Sequence, residues 1–341
     1  MISFRFLLFP FAILYDLITR IRNYFYDVGI FKSISFDFPV IVVGNLSVGG
    51  TGKTPQIEYL IRILKADNKI AVLSRGYKRK TTGFVLIDTC HSAAEVGDEP
   101  LQFFKKFSTI YVAVDENRVH GIQELHKNCI PDIILLDDAF QHRKVTAGFS
   151  LLLTNYNDLF LDDFLLPTGN LRESRSGAKR ANSIVVTKCP QNLSKERQKE
   201  LRKKLTASPN QQVFFSTIKY HPKTQGSQEI SIDVLHEYKI VLVTGIANPT
   251  PLVDFLKDKQ CTIHHIAFPD HHNFTSQEID TIQITFDGIT SDKKILLTTE
   301  KDYMRLADQT SELSYLEIAT EFLEGKERFM NEIKSFCRIN S

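Results

Sequence analysis

From residue 33 onward, short apolar runs rich in β-branched side chains alternate with stretches whose apolar residues recur at spacings of three and four. That alternation is the signature of parallel βαβ units. Strands are expected at residues 40–43, 70–73, 110–114, 133–136, 150–153 and 184–187. The segment from Thr54 places Ile57, Leu60, Ile61 and Leu64 on one helical face, with Pro55 in the first turn, where its missing N–H costs nothing. A charged helix over 194–204 and a strand over 213–218 follow. The polar run 219–228 reads as a linker, after which strands at 240–244, 262–267 and 295–297 begin a second α/β set. The expected organisation is an α/β core over 33–218 and a smaller C-terminal α/β domain over 229–341 that closes over the site.

Residues 1–32 follow a different pattern. Phe6 to Tyr15 is almost wholly apolar, and Leu17, Ile18, Ile21, Tyr24 and Phe25 continue the apolar positions around Arg20 and Arg22. A spanning helix needs about 20 apolar residues, and no small-residue cleavage site of a secretory signal follows. Two readings fit: a helix lying in the headgroup region, or a helix packed onto the protein's own core.

Composition excludes more than it selects. The 341 residues exceed the roughly 250–300 at which one core stops growing. With 42 Lys and Arg against 40 Asp and Glu, the charge of +2 argues against a nucleic-acid partner held by phosphate neutralisation. Five scattered cysteines, never spaced as CxxC, suggest neither a disulfide framework nor a zinc site, and fit a reducing cytoplasm.

The chemistry is concentrated in Ser47-Val48-Gly49-Gly50-Thr51-Gly52-Lys53-Thr54, set between an apolar strand and an amphipathic helix. Glycines let successive N–H groups turn onto phosphate oxygens, a lysine reaches the β and γ phosphates, and a hydroxyl holds magnesium. The strict P-loop pattern asks for glycine where Ser47 stands. The apolar strand ending in Asp137-Asp138 has the form of a carboxylate site beside the metal. Asp98 and Glu99, in Gly97-Asp98-Glu99-Pro100, open a helix, where acids serve equally as caps. Nucleotide binding of this kind serves kinases, GTPases and regulatory ATPases. Thr187-Lys188 resembles the base-recognition element of guanine-nucleotide proteins, but Cys189-Pro190 stands where that element continues to aspartate.

Taken with Gly44-Asn45-Leu46 before the P-loop, Ser74-Arg75-Gly76-Tyr77, Asp137-Asp138-Ala139-Phe140-Gln141-His142, Leu171-Arg172-Glu173, Phe268-Pro269-Asp270-His271-His272 and Thr298-Thr299-Glu300-Lys301-Asp302, the chain resembles the tetraacyldisaccharide 4'-kinase family along nearly its whole length. Two departures are Ser47, where the family often has threonine, and Asn170, where proline is usual. The resemblance implies a P-loop NTPase-like α/β/α core and transfer of the γ-phosphoryl of ATP, with Mg2+, to the 4'-hydroxyl of an acylated glucosamine disaccharide 1-phosphate. It also implies work at the cytoplasmic face of the inner membrane of a Gram-negative bacterium, which favours the membrane-associated reading of the N-terminal helix.

The same resemblance implies roles. Asp98 is the expected base, and His271 the residue that hydrogen-bonds it when the domains close. Lys53 is expected on the β and γ oxygens and Thr54 on magnesium. Asp138, Glu99 and Gln141 complete or orient the metal shell, directly or through water, while Asp137 orients Lys53. Asn45, Tyr77 and Glu173 are expected to support the site, and Arg118, Arg172 and His142 to meet the 1-phosphate or disaccharide. Without the resemblance, His271 and His272 read rather as surface turn residues and the arginines as solvated loop residues.

Overall fold

The computed structural model describes residues 4–339; residues 1–3 and 340–341 of the expected terminal segments lie outside the described residues. A 3-10 turn, Phe4–Leu8, runs into α1 (Phe9–Asp27), with Pro10 in its first turn. There follow β1 (Val40–Asn45), α2 (Lys53–Leu64), β2 (Ile70–Ser74), β3 (Val85–Leu86), α3 (Ala93–Val96), α4 (Asp98–Lys106), β4 (Tyr111–Val114), α5 (Arg118–Cys129) and β5 (Ile133–Asp137). Next come β6 (Phe149–Asn155), β7 (Ser183–Thr187), α6 (Lys195–Leu205) and β8 (Gln212–Tyr220). The remainder is β9 (Gln225–Gly226), β10 (Lys239–Thr244), α7 (Thr250–Asp258), β11 (Thr262–Ala267), α8 (Ser276–Asp287), β12 (Lys294–Thr299), α9 (Glu300–Leu306), β13 (Leu313–Leu316), β14 (Ile318–Phe322) and α10 (Lys326–Ile339).

Two sheets organise these elements. The larger runs β14-β8-β7-β6-β1-β5-β2-β4-β3, parallel except at its edges β3 and β14. Every residue of β1 is buried, and its neighbours in register are Leu135 of β5 and Phe149 of β6 opposite Ile41. Such two-sided burial explains why these strands read as unbroken apolar runs rather than as alternation. The chain leaves β1 toward β2 on one side and later returns on the other, from β5 to β6. The carboxyl end of β1 is therefore a switch point, where α/β sheets open a crevice. The P-loop lies there, beside Asp137 at the end of β5, which pairs with Val43.

The smaller sheet is β11-β10-β12-β13-β9, again parallel save for β9 at its edge. It repeats the device, with β11 and β12 flanking β10, so the loop holding His271 and the helix α9 holding Lys301 leave the carboxyl ends of β11 and β12.

The expected boundaries differ from the sheets in two places. Lys219 and Tyr220 extend β8, and Gln225–Gly226 forms a strand on the smaller sheet, so the polar stretch is not wholly linker. More consequentially, the last strand and helix go back to the larger sheet: β14 pairs antiparallel with β8, and Phe329 and Ile333 of α10 are buried with Phe214 in its core. Amphipathic periodicity shows that a helix has a buried face but not which of two sheets it covers.

No described helix is long and apolar enough to cross a membrane. In α1 only Ala12 and Thr19 are buried. Its apolar side chains point outward, with Phe11 62% exposed and Ile13, Leu14, Leu17 and Ile18 likewise uncovered, as is Leu7 of the preceding turn at 68%. The core-packed alternative for this helix is thereby set aside.

Candidate active site

The P-loop is shaped by positive φ at Gly49 (111°) and Gly52 (82°), a region that glycine enters without a Cβ penalty. Gly52 caps α2, so the free N–H groups of that helix open onto the loop. At Gly44 a Cβ would lie 2.7 Å from that of Phe140, so strand β1 and the loop after β5 meet only because the side chain is missing. Asn45 secures the turn by donating to the Ser47 carbonyl at 2.6 Å, and its side-chain oxygen accepts from Lys53 at 3.5 Å. From the other side Thr187 donates to the Thr51 carbonyl at 2.8 Å and Lys188 to that of Gly50 at 2.7 Å. Thr187 and Lys188 thus grip the phosphate loop itself, and burial and the charge of Lys53 lower the Lys188 ammonium from its ordinary value.

Opposite the loop sits an acidic centre. Asp137 is buried and accepts from Ser74 at 2.9 Å. Burial, with the nearby charges of Glu99 and Asp138, pushes its carboxyl up to about 7. Asp138 behaves oppositely: burial works against its charge, but Lys53 at 3.6 Å and Arg172 at 2.9 Å hold it below the usual range. The expected pairing of Lys53 with Asp137 is thus found instead with Asp138. No three His, Cys, Asp or Glu side chains among the described residues form a ready metal cage. The donor set nevertheless fits magnesium, which takes few protein ligands and keeps phosphate oxygens and water. Asp137, Asp138 and Glu99 crowd negative charge that a divalent cation would offset.

Asp98 and Glu99 open α4, and the structure joins them to the smaller sheet. Asp98 Oδ2 lies 3.0 Å from His271 Nδ1 and 3.1 Å from Arg305. Lys301 Nζ lies 3.1 Å from His271 Nε2 and 3.4 Å from Glu99. An ammonium can only donate, so Nε2 accepts and Nδ1 carries the hydrogen that His271 gives to Asp98. His271 is held at φ 57° by its own N–H, which donates to the Gly245 carbonyl at 3.0 Å. With Asp138 and Lys188 it is one of three site residues other than glycine in the left-handed region, a strain that clusters at functional sites. Tyr77, exposed, sets its ring 5.1 Å from that of His271.

The other expected residues divide. Arg172 lines the acidic centre through Asp138, but Arg118 is buried and bonds the carbonyls of Asp115 and Asp137, fastening the ends of β4 and β5. Gln141 donates to the Asn45 carbonyl at 2.8 Å and to Glu173 at 3.1 Å. Glu173 is buried and also takes Arg180 at 2.8 Å and Asn23 of α1 at 2.9 Å. Both therefore shape the site from behind. His142 is lowered to about 4 by burial and the guanidiniums of Arg118 and Arg75, so it is a neutral imidazole at neutral pH. His272 turns away to Glu278 at 3.0 Å. Arg305 was not foreseen, and Lys301 only as part of a motif; their spacing of four on α9 puts both on one face.

A loop of this shape serves anything that grips nucleotide phosphates, but the carboxylate of Asp98 on α4, backed by an imidazole brought from the second sheet, marks a P-loop phosphotransferase. The model of the tetraacyldisaccharide-1-P 4'-kinase family matches residues 4–338, and the chain belongs to that family. It is 54% identical over 340 residues to the tetraacyldisaccharide 4'-kinase of Flavobacterium johnsoniae, covering 98% of this chain and 97% of that one. Against the enzyme of the same name from Phocaeicola vulgatus, identity is 42%, covering 98% and 95%. Among solved structures, LpxK from Aquifex aeolicus, in complex with ATP, is similar with a TM-score of 0.78 and 30% identity, covering 97% of this chain and 99% of that one.

Proposed function

We propose that this protein transfers the γ-phosphoryl of ATP to the 4'-hydroxyl of a tetraacyldisaccharide 1-phosphate, giving the bis-phosphorylated lipid A precursor. The observation that carries the reading is the 3.0 Å contact between Asp98 and His271, which joins the larger sheet's catalytic edge to the smaller sheet.

The 4'-oxygen bonds to the γ phosphorus as the bond from phosphorus to the bridging oxygen breaks, ADP departs, and the hydroxyl proton passes to Asp98. Its Oδ2 is engaged by His271 and Arg305, which leaves Oδ1 to take that proton. Residues 47–54 cradle the phosphates, with Lys53 on the β and γ oxygens. Bound magnesium, held by Thr54 and Asp138 with Glu99 beside them, would neutralise charge on those oxygens; Gln141 and Asp137 support this shell. Arg172, His142 and Arg75 face the disaccharide and its 1-phosphate, for which guanidinium forks are suited.

The uncovered apolar face of α1 seats the protein at the cytoplasmic face of the inner membrane, where the acyl chains of the substrate lie.

Incubation with Mg·ATP and the lipid disaccharide yields a doubly phosphorylated product. Asp98→Ala lowers turnover by a factor of about 100 or more while ATP still binds, whereas Lys53→Ala weakens nucleotide use. Normal turnover in the Asp98 variant would remove it as the base, and ATP consumption without a phosphorylated lipid would point to a regulatory ATPase.

A further inference from the structure

Away from the site, one lysine gathers three carboxylates. Lys106 Nζ lies 2.7 Å from Glu58, 2.8 Å from Glu300 and 3.0 Å from Glu317. Glu58 and Glu300 are buried, and Glu58 also accepts from Gln102 at 2.8 Å. Arg62 closes the group, 2.7 Å from Glu317 and 3.4 Å from Glu58. Three acids thus meet two cations, and burial pushes Glu300 up to about 7.

The placement of its members is what matters. Glu58 lies on α2, one turn after Lys53 and Thr54; Lys106 ends α4, which Asp98 and Glu99 begin; Glu300 begins α9, which carries Lys301 and Arg305. Glu317 sits between β13 and β14, where the chain passes from one sheet to the other. Every helix that presents a reacting or phosphate-binding group therefore has at least one residue in the cluster. Removing charges from water costs more than a buried pair usually returns, and apolar replacements of such clusters are often neutral or stabilising. Stability is thus a poor reason for the arrangement, and geometry is a better one.

We propose that Lys106 is a positioning residue for phosphoryl transfer, fixing α4 and α9 against α2 so that Asp98 meets His271 and the γ-phosphate at once. This rests on the kinase reading above. Because α2 is held independently by buried Ile57, Leu60 and Ile61, ATP binding does not depend on the cluster. The chemical step does, since a displacement near 1 Å costs roughly a factor of 100.

The test compares Lys106→Met, Lys106→Arg and the triple variant Lys106→Met/Glu58→Gln/Glu300→Gln, in which no unpaired charge is left by the missing ammonium. Thermal stability, ATP affinity and kcat with the lipid acceptor are measured for each. The expected result is that the triple variant regains wild-type stability and ATP affinity but keeps a kcat lowered at least tenfold, while Lys106→Arg recovers most of the rate. If kcat returns with stability in the triple variant, Lys106 is merely structural and the proposal is overturned. A spin-label distance between probes introduced as unnatural amino acids at the exposed Ile130 and Ile284 reads the geometry without turnover. A wild-type chain that does not phosphorylate the lipid would sink the kinase reading, and the distance would still decide the positioning claim: broadening in the triple variant supports it, an unchanged distribution refutes it.

Discussion

At Asp137, burial and the neighbouring charges of Glu99 and Asp138 raise the carboxyl from 3.8 to about 7, so the folded chain holds a proton that the unfolded chain has lost. The sign follows from linkage: a raised pKa contributes stability that is complete below the unfolded value and disappears as pH rises through about 7. Without cation or nucleotide, melting temperature should fall between pH 5 and pH 8, by roughly 3 °C or more, and Asp137→Asn should flatten that slope while lowering activity. Magnesium with a non-hydrolysable ATP analogue should stabilise the wild type more at pH 8 than at pH 6. Parallel pH profiles in scanning calorimetry for wild type and Asp137→Asn would refute the assignment. The acid pair itself was legible because a strand ending in two aspartates is a local pattern. Its division into one raised and one lowered carboxyl was not, because that depends on Lys53 and Arg172 approaching Asp138 from distant parts of the chain.

Among the elements, α1 has two working faces. Its apolar side chains contact little of the protein, while its polar ones reach the loops of the site: Tyr15 donates to the Arg172 carbonyl at 2.8 Å, Asn23 to Glu173 at 2.9 Å and Arg22 to the Gln141 carbonyl. The helix thus links the surface proposed to meet lipid with the residues behind Asn45 and Asp138. Burying one Leu or Ile is worth about 1.5–3 kcal/mol, and 1.4 kcal/mol is a factor of 10. Replacing Leu14 and Ile18 by Asp should therefore lower partitioning to phospholipid vesicles at least tenfold without changing melting temperature. Asn23→Ala should do the reverse, leaving partitioning intact and lowering turnover severalfold; deletion of residues 1–26 should do both. Unchanged sedimentation of the Leu14 and Ile18 variant with vesicles would refute the lipid face. The spacing of its apolar positions made this helix readable, but a face made for a core and a face made for lipid have the same composition, and only its exposure separates them. The short pieces β3 and β9 went unread because two residues carry no periodicity to stand out.

At the scale of the whole molecule, the smaller sheet is an insertion. Tyr220, the last residue of β8, pairs directly with Ile318, the first of β14, in antiparallel register, and the His221 N–H donates to the Glu317 carbonyl at 2.9 Å. Everything from 221 to 317 leaves and re-enters the larger sheet at one point, the arrangement that domain insertion favours. The order of strands was readable from alternating runs, but this return was not, because it pairs residues nearly a hundred positions apart. It makes a specific demand on folding. A chain ending at 218 leaves β8 as an uncovered edge and uncovers Phe214 and Tyr59, which pack on Phe322 and Phe329; at about 1.5–3 kcal/mol for each such side chain, that loss rivals the stability of a whole domain. Such a chain should aggregate. Joining Tyr220 to Ile318 through Asn-Gly, a two-residue turn suited to an antiparallel pair, should instead give a folded core that keeps β14, α10 and the P-loop. It should bind ATP, shown by a melting temperature that rises with nucleotide, and transfer no phosphate, because His271, Lys301 and Arg305 are gone. Cooperative unfolding of the 1–218 chain, or aggregation of the joined one, would show that the larger sheet is completed in some other way.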